Sequence, residues 1–306
     1  MKKSPIKLTI LGCYAATPRT LSNPTSQVLE MANHTFLIDC AEGTQVQLRK
    51  LKVGFAKINH IFISHLHGDH CYGLIGLVST FMLFNRQHEL HIYGPKGIKE
   101  LILFQLRLSD SFTPYPLYFH ELTSKEPEVI FEDSRITVST IPLEHRVYTN
   151  GFRFEEKQGL RPLNRQKADE LGVPPYCFDR LKRGETVTLD DGRVIDPIVV
   201  TDDPLPTRTY AYCSDTQFSE QVAEYVKGSN FLYHEATFLE SEQDKAQKTK
   251  HSTAKEAAEV ARLAGVETLI LGHYSTRYGS IDPFKEEAEQ VFKPVLLADD
   301  GVQFEW

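Results

Sequence analysis

Positive charge is in deficit in this chain: 34 lysines and arginines stand against 41 aspartates and glutamates, a formal net charge of −7 over 306 residues. Phosphate binding needs locally concentrated cations rather than a basic whole, so a nucleic-acid substrate requires a basic element somewhere in the chain. Cysteine is also sparse. Cys13, Cys40, Cys71, Cys177 and Cys213 are scattered, odd in number and contain no Cys-x-x-Cys pair, which argues against a disulfide framework and a thiolate zinc knuckle. Each reads as a small buried apolar residue, with Cys71 and Cys213 placed to form part of a site wall. No apolar run approaches the length that crosses a bilayer. Met1-Lys2-Lys3-Ser4-Pro5 has no apolar core of signal-peptide length behind it, so the expected location is the cytoplasm. Repeats and low-complexity tracts are absent as well.

What is present is a folded-protein composition, 41% hydrophobic and 25% charged. Short strand-like runs alternate with helical stretches. Lys7–Leu11, Ser26–Met31 and Thr35–Asp39 read as strands of an opening meander, followed by a short helix from Gly43 to Leu51. His60–Ser64 is a compact strand-type run that leads directly into His-Leu-His-Gly-Asp-His, ahead of an apolar helical segment from Cys71 to Phe84. Leu90–Tyr93 is expected as a strand feeding a helix from Lys96 to about Leu108. Further strands are expected between Glu128 and Phe154, at Thr209–Cys213, Phe231–Tyr233 and Glu267–Leu271. A helix from Ser252 to Ala264, capped by Ser252 or Thr253 and ended by Gly265, and another opened by Asp282-Pro283, complete the pattern.

The stretch from about Glu155 to Asp196 is different: polar, broken by Gly159, Pro162, Gly172, Pro174 and Pro175, and without strand alternation. It reads as an arm projecting from the core, with one short helix capped by Asn164 and another around Cys177–Arg183. It also supplies the basic element. Lys157, Arg161, Arg165, Lys167, Arg180, Lys182 and Arg183 are interspersed with only Asp169, Glu170 and Asp179 over that span. A solvated helix pair is the plainer reading of the same composition.

His65, His67, Asp69 and His70 lie within six residues on a strand-to-helix loop. Imidazole and carboxylate are the ligands of zinc-like ions where thiolates are absent. Four such groups so close together cannot all reach one ion. They suit two neighbouring ions, one held by His65 and His67, the other by Asp69 and His70. His145, Asp215 and His273 each follow a strand and are the further ligands expected, since loops at strand ends converge on one edge of a sheet. A carboxylate such as Asp215 can bridge two cations.

With these residues in view, the chain resembles the metallo-β-lactamase superfamily. Leu37-Ile38-Asp39-Cys40-Ala41-Glu42-Gly43-Thr44-Gln45, Tyr93-Gly94-Pro95-Lys96-Gly97, His234-Glu235-Ala236-Thr237-Phe238, His251-Ser252-Thr253 and Gly272-His273-Tyr274-Ser275-Thr276-Arg277-Tyr278 narrow the resemblance to the ribonuclease Z family. The resemblance implies an α/β fold, a four-layer αββα sandwich spanning residues 1–306, with the stretch 155–196 inserted as a substrate-binding arm. It implies an endoribonuclease that removes 3′ trailers from tRNA precursors. His65, His67 and His145 would bind one zinc ion, and Asp69, His70 and His273 a second, with Asp215 and a hydroxide between them. Manganese or iron fit the same ligands. Asp69 would hold or accept the nucleophile's proton, and His251, oriented by Glu235, would protonate the departing oxygen. Ser275 and Arg277 would bind phosphate. The arm would grip tRNA, and the protein would be a homodimer.

The chain also departs from the family pattern. Cys13-Tyr14 stands where the family has threonine and a small residue, Pro174-Pro175-Tyr176-Cys177-Phe178 replaces a Gly-Pro-Leu in the arm, and Phe81–His88 lacks a glycine-rich run. Three other readings compete: a phosphodiesterase of the same fold acting on small cyclic or nucleotide diesters, a catalytically silent RNA-binding relative, and a β-lactam hydrolase. A projecting basic arm has no use for a small diester. A silent relative is expected to lose ligands that are all present here, and Asp69, Glu235, His251 and the arm disfavour β-lactams.

Overall fold

Strands buried on both faces read as near-continuous apolar runs, and here alternate residues feed two cores. In β1 (Lys7–Gly12), Leu8 and Ile10 enter one and Leu11 the other; in β2 (Ser26–Met31), Leu29 and Val28 divide the same way. β3 (His34–Ile38) sends Phe36 and Ile38 inward and Leu37 outward, β4 (Ile58–Phe62) sends Phe62 inward and Ile61 outward, and β5 (Leu90–Pro95) and β6 (Leu117–Leu122) complete this sheet's run. The computed structural model describes residues 4–17, 20 and 22–306; Met1–Lys3 and Pro18 of the sequence reading lie outside the described residues.

The second sheet is built from β7 (Val129–Glu132), β8 (Ile136–Leu143) and β9 (Thr149–Glu156). After a small two-stranded piece, β10 (Val187–Thr188) with β11 (Val194–Ile195), it continues with β12 (Thr209–Cys213), β13 (Phe231–Glu235), β14 (Thr268–Gly272) and β15 (Val295–Leu297). The last strand, β16 (Gln303–Glu305), returns to the first sheet. The orders are β16-β1-β2-β3-β4-β5-β6 and β15-β14-β13-β12-β9-β8-β7. Phe36, Phe62, Phe152, Phe154 and Tyr210 fill the space between the sheets. Helices Thr44–Lys50, Leu74–Leu83 and Ile98–Leu108 cover the outer face of the first sheet. Glu220–Tyr225, Ala254–Ala264 and Asp282–Ala288 cover the second, giving four layers. Thr253 is the cap of Ala254–Ala264, in a reciprocal box with Glu256, and Gly265 ends it at φ 61°.

Parallel pairing positions the site. β3 to β6 run parallel, as do β12 to β15. β8 is antiparallel to β9, and β9 to β12, so β8 ends at the same edge as β12. Among the described residues no helix is long and apolar enough to cross a membrane. All five cysteines are buried and free.

Residues 157–208 leave the second sheet between β9 and β12. They carry a small core of their own: Ala168, Val173, Cys177, Leu181, Val187, Leu189, Ile195 and Val200. The expected limits of 155 and 196 shift, because Glu155 and Glu156 complete β9 and the segment runs on through the helix Pro197–Val200. Asn164 caps the helix Arg165–Glu170 by accepting from the Lys167 N–H, and Phe178–Lys182 is the second expected helix.

Candidate active site

The loop after β4 brings His65 and His67 ahead of a one-turn helix, Gly68–Cys71, that carries Asp69 and His70. β8, β12 and β14 deliver His145, Asp215 and His273 to the same place. Donor atoms of His65, His67, His145 and Asp215 form one cluster, and those of Asp69, His70 and His273 another, each within 4.8 Å. The two carboxylate oxygens of Asp215 divide between them. Oδ2 lies 3.6 Å from His65 Nε2 and 3.8 Å from His145 Nε2, while Oδ1 lies 3.3 Å from His70 Nε2 and 3.2 Å from His273 Nε2. Asp69 Oδ2 faces the second group, 3.7 Å from His70 Nε2 and 3.6 Å from His273 Nε2. It also accepts a hydrogen bond from the Ala16 N–H at 2.8 Å, which ties the opening loop to the centre.

The partners behind these imidazoles fix their tautomers. Asp39 can only accept, so His70 carries its proton on Nδ1 (2.8 Å) and turns the Nε2 lone pair to the centre. The same carboxylate accepts from the Ser64 N–H and hydroxyl and from the Tyr212 hydroxyl at 2.7, 2.8 and 2.6 Å. With its own proton given to Asp39, the Ser64 hydroxyl accepts from His65 Nδ1 at 3.1 Å. His145 Nδ1 donates to the Lys250 carbonyl at 2.9 Å. Thr237 donates its hydroxyl to Glu235 at 2.7 Å and accepts from His273 Nδ1 at 2.9 Å. Asp39, Ser64, Tyr212 and Thr237 were not among the candidates drawn from the sequence. Asp39 and His273 both hold left-handed backbones, φ 54° and 60°, costing of order 1–3 kcal/mol each and typical of functional positions. Gly272 permits the approach at the end of β14: a Cβ there would sit 2.0 Å from the Tyr233 hydroxyl.

This donor set fits metal ions. His145 Nε2 and Asp215 Oδ1 are buried without a hydrogen-bond partner, and His65 Nε2 meets His67 Nδ1 at 2.9 Å, two nitrogens aimed at a common point. The pocket is negative. Burial opposes charge on Asp215, yet His273, His70 and His65 hold its pKa far below the usual carboxylate range. Burial likewise pushes His70 down, but Asp215, Asp39 and Asp69 outweigh it and raise its pKa. A metal ion bound by these groups would displace the His70 proton. Cys71 and Cys213 are buried next to the ligands and belong to the core clusters.

Glu235 is fully buried at the end of β13, and its Oε1 accepts from His251 Nδ1 at 2.8 Å. Its oxygens also accept from the backbone N–H groups of Thr216, Ser252 and Thr237 at 3.1, 3.1 and 2.9 Å. Burial disfavours charge on His251, but the Glu235 carboxylate overcomes it and raises the pKa to about 9. The imidazole stands 5.0 Å from His145 and 5.5 Å from His273, ring centre to ring centre. On the loop beyond β14, the Arg277 guanidinium donates to the Ser275 hydroxyl at 3.1 Å, pairs with Glu242 at 3.3 Å and covers the Phe238 ring at 5.0 Å.

The basic stretch is less positive in space than in sequence. Lys157 pairs with Glu132, Arg161 with Asp203, Arg165 with Asp169, and Arg180 and Arg183 share Glu185. Three of these four acids lie outside the span from Lys157 to Arg183. Lys167 and Lys182 carry no ion pair among the described residues.

A family model described as the anti-Pycsar protein Apyc1 matches residues 6–157. The chain is 44% identical over 296 residues to "Ribonuclease Z" of Bacteroides thetaiotaomicron, covering 97% of this chain and 94% of that one. The crystal structure of human tRNase Z, short form, is similar with a TM-score of 0.70 and 26% identity, covering 97% of this chain and 98% of that one. A metallo-β-lactamase fold protein from Bacillus subtilis aligns with a TM-score of 0.70 and 19% identity, over 99% and 100% of the two chains. The four layers described above are therefore the metallo-β-lactamase fold, and its His/Asp clusters are the place of a metal cofactor.

Proposed function

The chain belongs to the ribonuclease Z family, and from that membership we propose that it is a metal-dependent endoribonuclease removing 3′ trailers from tRNA precursors in the cytoplasm. The observation that carries this reading is one carboxylate, Asp215, whose two oxygens face two separate imidazole groups beside a buried Glu235–His251 pair.

His65, His67 and His145 would hold one ion and Asp69, His70 and His273 the other, with Asp215 facing both groups; the ligand chemistry suits zinc, and metal analysis distinguishes it from manganese or iron. Bound there, the ions would supply an activated water and neutralise charge on the attacked phosphate. Asp69 would hold or accept the proton of the attacking water. The water oxygen bonds to phosphorus as the bond from phosphorus to the tRNA 3′ oxygen breaks, which leaves the phosphate on the trailer, and His251 delivers its proton from Nε2 to that oxygen, leaving a 3′-hydroxyl on the tRNA. Glu235 holds His251 in the tautomer and charge state this needs. Ser275 and Arg277 bind a phosphate next to the cut. The arm grips the tRNA body through backbone phosphates, with Lys157, Arg161, Arg165, Lys167, Arg180, Lys182 and Arg183 exchanging acid partners for phosphate. Exposed Val46, Leu83 and Phe84, on and beside two packed helices, offer an apolar face for a homodimer.

The test is cleavage of a tRNA precursor with a 3′ trailer, with bis(p-nitrophenyl) phosphate alongside and His67→Ala as the inactive control. A cut after the discriminator base that His67→Ala abolishes is expected. Turnover of the diester alone, equal in a variant with residues 158–207 replaced by a short turn, would turn the reading toward a small-diester phosphodiesterase.

A further inference from the structure

A cavity of about 630 Å³ opens beside His145, a volume in the range that encloses a nucleotide-sized ligand. Lys125, Arg146 and Lys250 line it, together with the phenol rings of Tyr148 and Tyr225. None of these three cations has a carboxylate partner among the described residues, in contrast to Arg161, Arg165, Arg180 and Arg183. Glu144, also on the wall, is engaged by Gln217 Nε2 at 2.6 Å, so the lining keeps a formal excess of two positive charges. In a chain of net charge −7, these three unpaired cations against one glutamate give the cavity a local positive excess.

The cavity shares its wall with the reaction centre. Lys250 has a left-handed backbone, φ 57°, which turns its carbonyl onto His145 Nδ1 while its side chain lines the cavity. Its neighbour in sequence is His251. Tyr148 is fixed from both sides, donating to the Ser124 carbonyl at 2.8 Å and accepting from Asn150 at 2.9 Å. Unpaired cations with tyrosine faces between them are the elements of a groove for single-stranded nucleic acid, where phosphates meet charge and bases stack.

We propose that this groove binds the unpaired RNA strand immediately next to the cut. The proposal rests on the endoribonuclease reading for the position of the cut. The strand has two sources, the trailer or the 3′ end of the tRNA body, and both present the same chemistry.

The experiment is fluorescence anisotropy of a labelled single-stranded hexaribonucleotide over a salt series, with native protein and with Lys125→Gln/Arg146→Gln. The double variant should bind at least tenfold more weakly at 0.1 M salt. The slope of log K against log salt should be shallower by about 1.4, two contacts at about 0.7 each. Lys227→Gln/Lys293→Gln makes the same change in total charge elsewhere and should leave the slope unaltered. Equal affinity and slope in native and groove variant, equal changes in both variants, or no hexamer binding by native protein would each overturn the proposal. Precursors with one- and six-nucleotide trailers then distinguish the sources: a KM penalty growing with trailer length assigns the trailer, an equal penalty the tRNA end. Native protein that binds the hexamer through the groove yet leaves the precursor uncut would retain the groove and reject the endoribonuclease reading.

Discussion

The reaction edge and the segment 157–208 use charge in opposite ways. At the edge, Asp39, Asp215 and Glu235 are buried, and nearly every donor around them has one assigned acceptor. In the segment, Arg165, Arg180 and Arg183 are more than half exposed, and Arg180 and Arg183 compete for one glutamate. Buried charge without its partner leaves an unpaid desolvation penalty, whereas an exposed pair contributes about 0–1 kcal/mol. Rigidity is thus concentrated at the reaction edge and exchangeable pairing in the segment, the division that the proposed roles of the two regions require.

The largest effect that sharpens this contrast is the pH dependence of metal-stripped protein. The pKa of His251 is raised from 6.5 to about 9, so its contribution to stability is complete below pH 6.5 and lost as pH rises through about 9. That difference is worth about 3 kcal/mol. Urea unfolding of chelated protein should lose stability between pH 6.5 and 9 through both His70 and His251, and His251→Gln should remove a part of that loss of this order. A parallel pH profile in the variant would break the contrast. Next comes Asp39→Asn, which leaves every ligand in place but weakens the acceptor behind His70. Competition with a chelating dye should show metal affinity reduced by roughly 10–100-fold. Unchanged affinity would mean that the ligands need no orientation from behind. The smallest effect is expected of Arg165→Ala, whose i,i+4 partner Asp169 is itself exposed. Its unfolding free energy should shift by less than about 0.5 kcal/mol, and a larger loss would place the segment with the rigid edge rather than against it.

The candidate ligands were legible because metal chemistry restricts residue type so severely, and because strand ends announce where side chains converge. His65, His67, Asp69 and His70 are neighbours in sequence, and His145, Asp215 and His273 each follow a recognisable strand. Thr237 and Ser64 were not legible as functional, since a hydroxyl beside an imidazole is ordinary until the fold supplies the distance. Asp39 stands in one of the family motifs, yet its partners come from two distant segments, Ser64 and His70 from the loop after β4 and Tyr212 from β12. The basic stretch misled in the other direction. Counting acids within its own span missed Glu132, Glu185 and Asp203, which the fold returns to it. β10 and β11, two residues each, are too short to leave an alternating pattern.

The attachment of residues 157–208 has a consequence for inheritance. The segment leaves β9 and re-enters β12, two strands already paired antiparallel, with Glu155 opposite Thr209 and the Glu156 N–H bonded to the Arg208 carbonyl at 3.0 Å. Its ends therefore meet whether the chain between them is long or short, and doubling such an excursion costs only about 0.6 kcal/mol of closure entropy. Insertions, deletions or wholesale exchange at this junction are tolerable without disturbing the reaction edge. With the proposed gripping role in this segment, a lineage would revise which polymer it captures while leaving the reaction edge untouched, and a foreign recognition element grafted between Glu156 and Arg208 tests that separation.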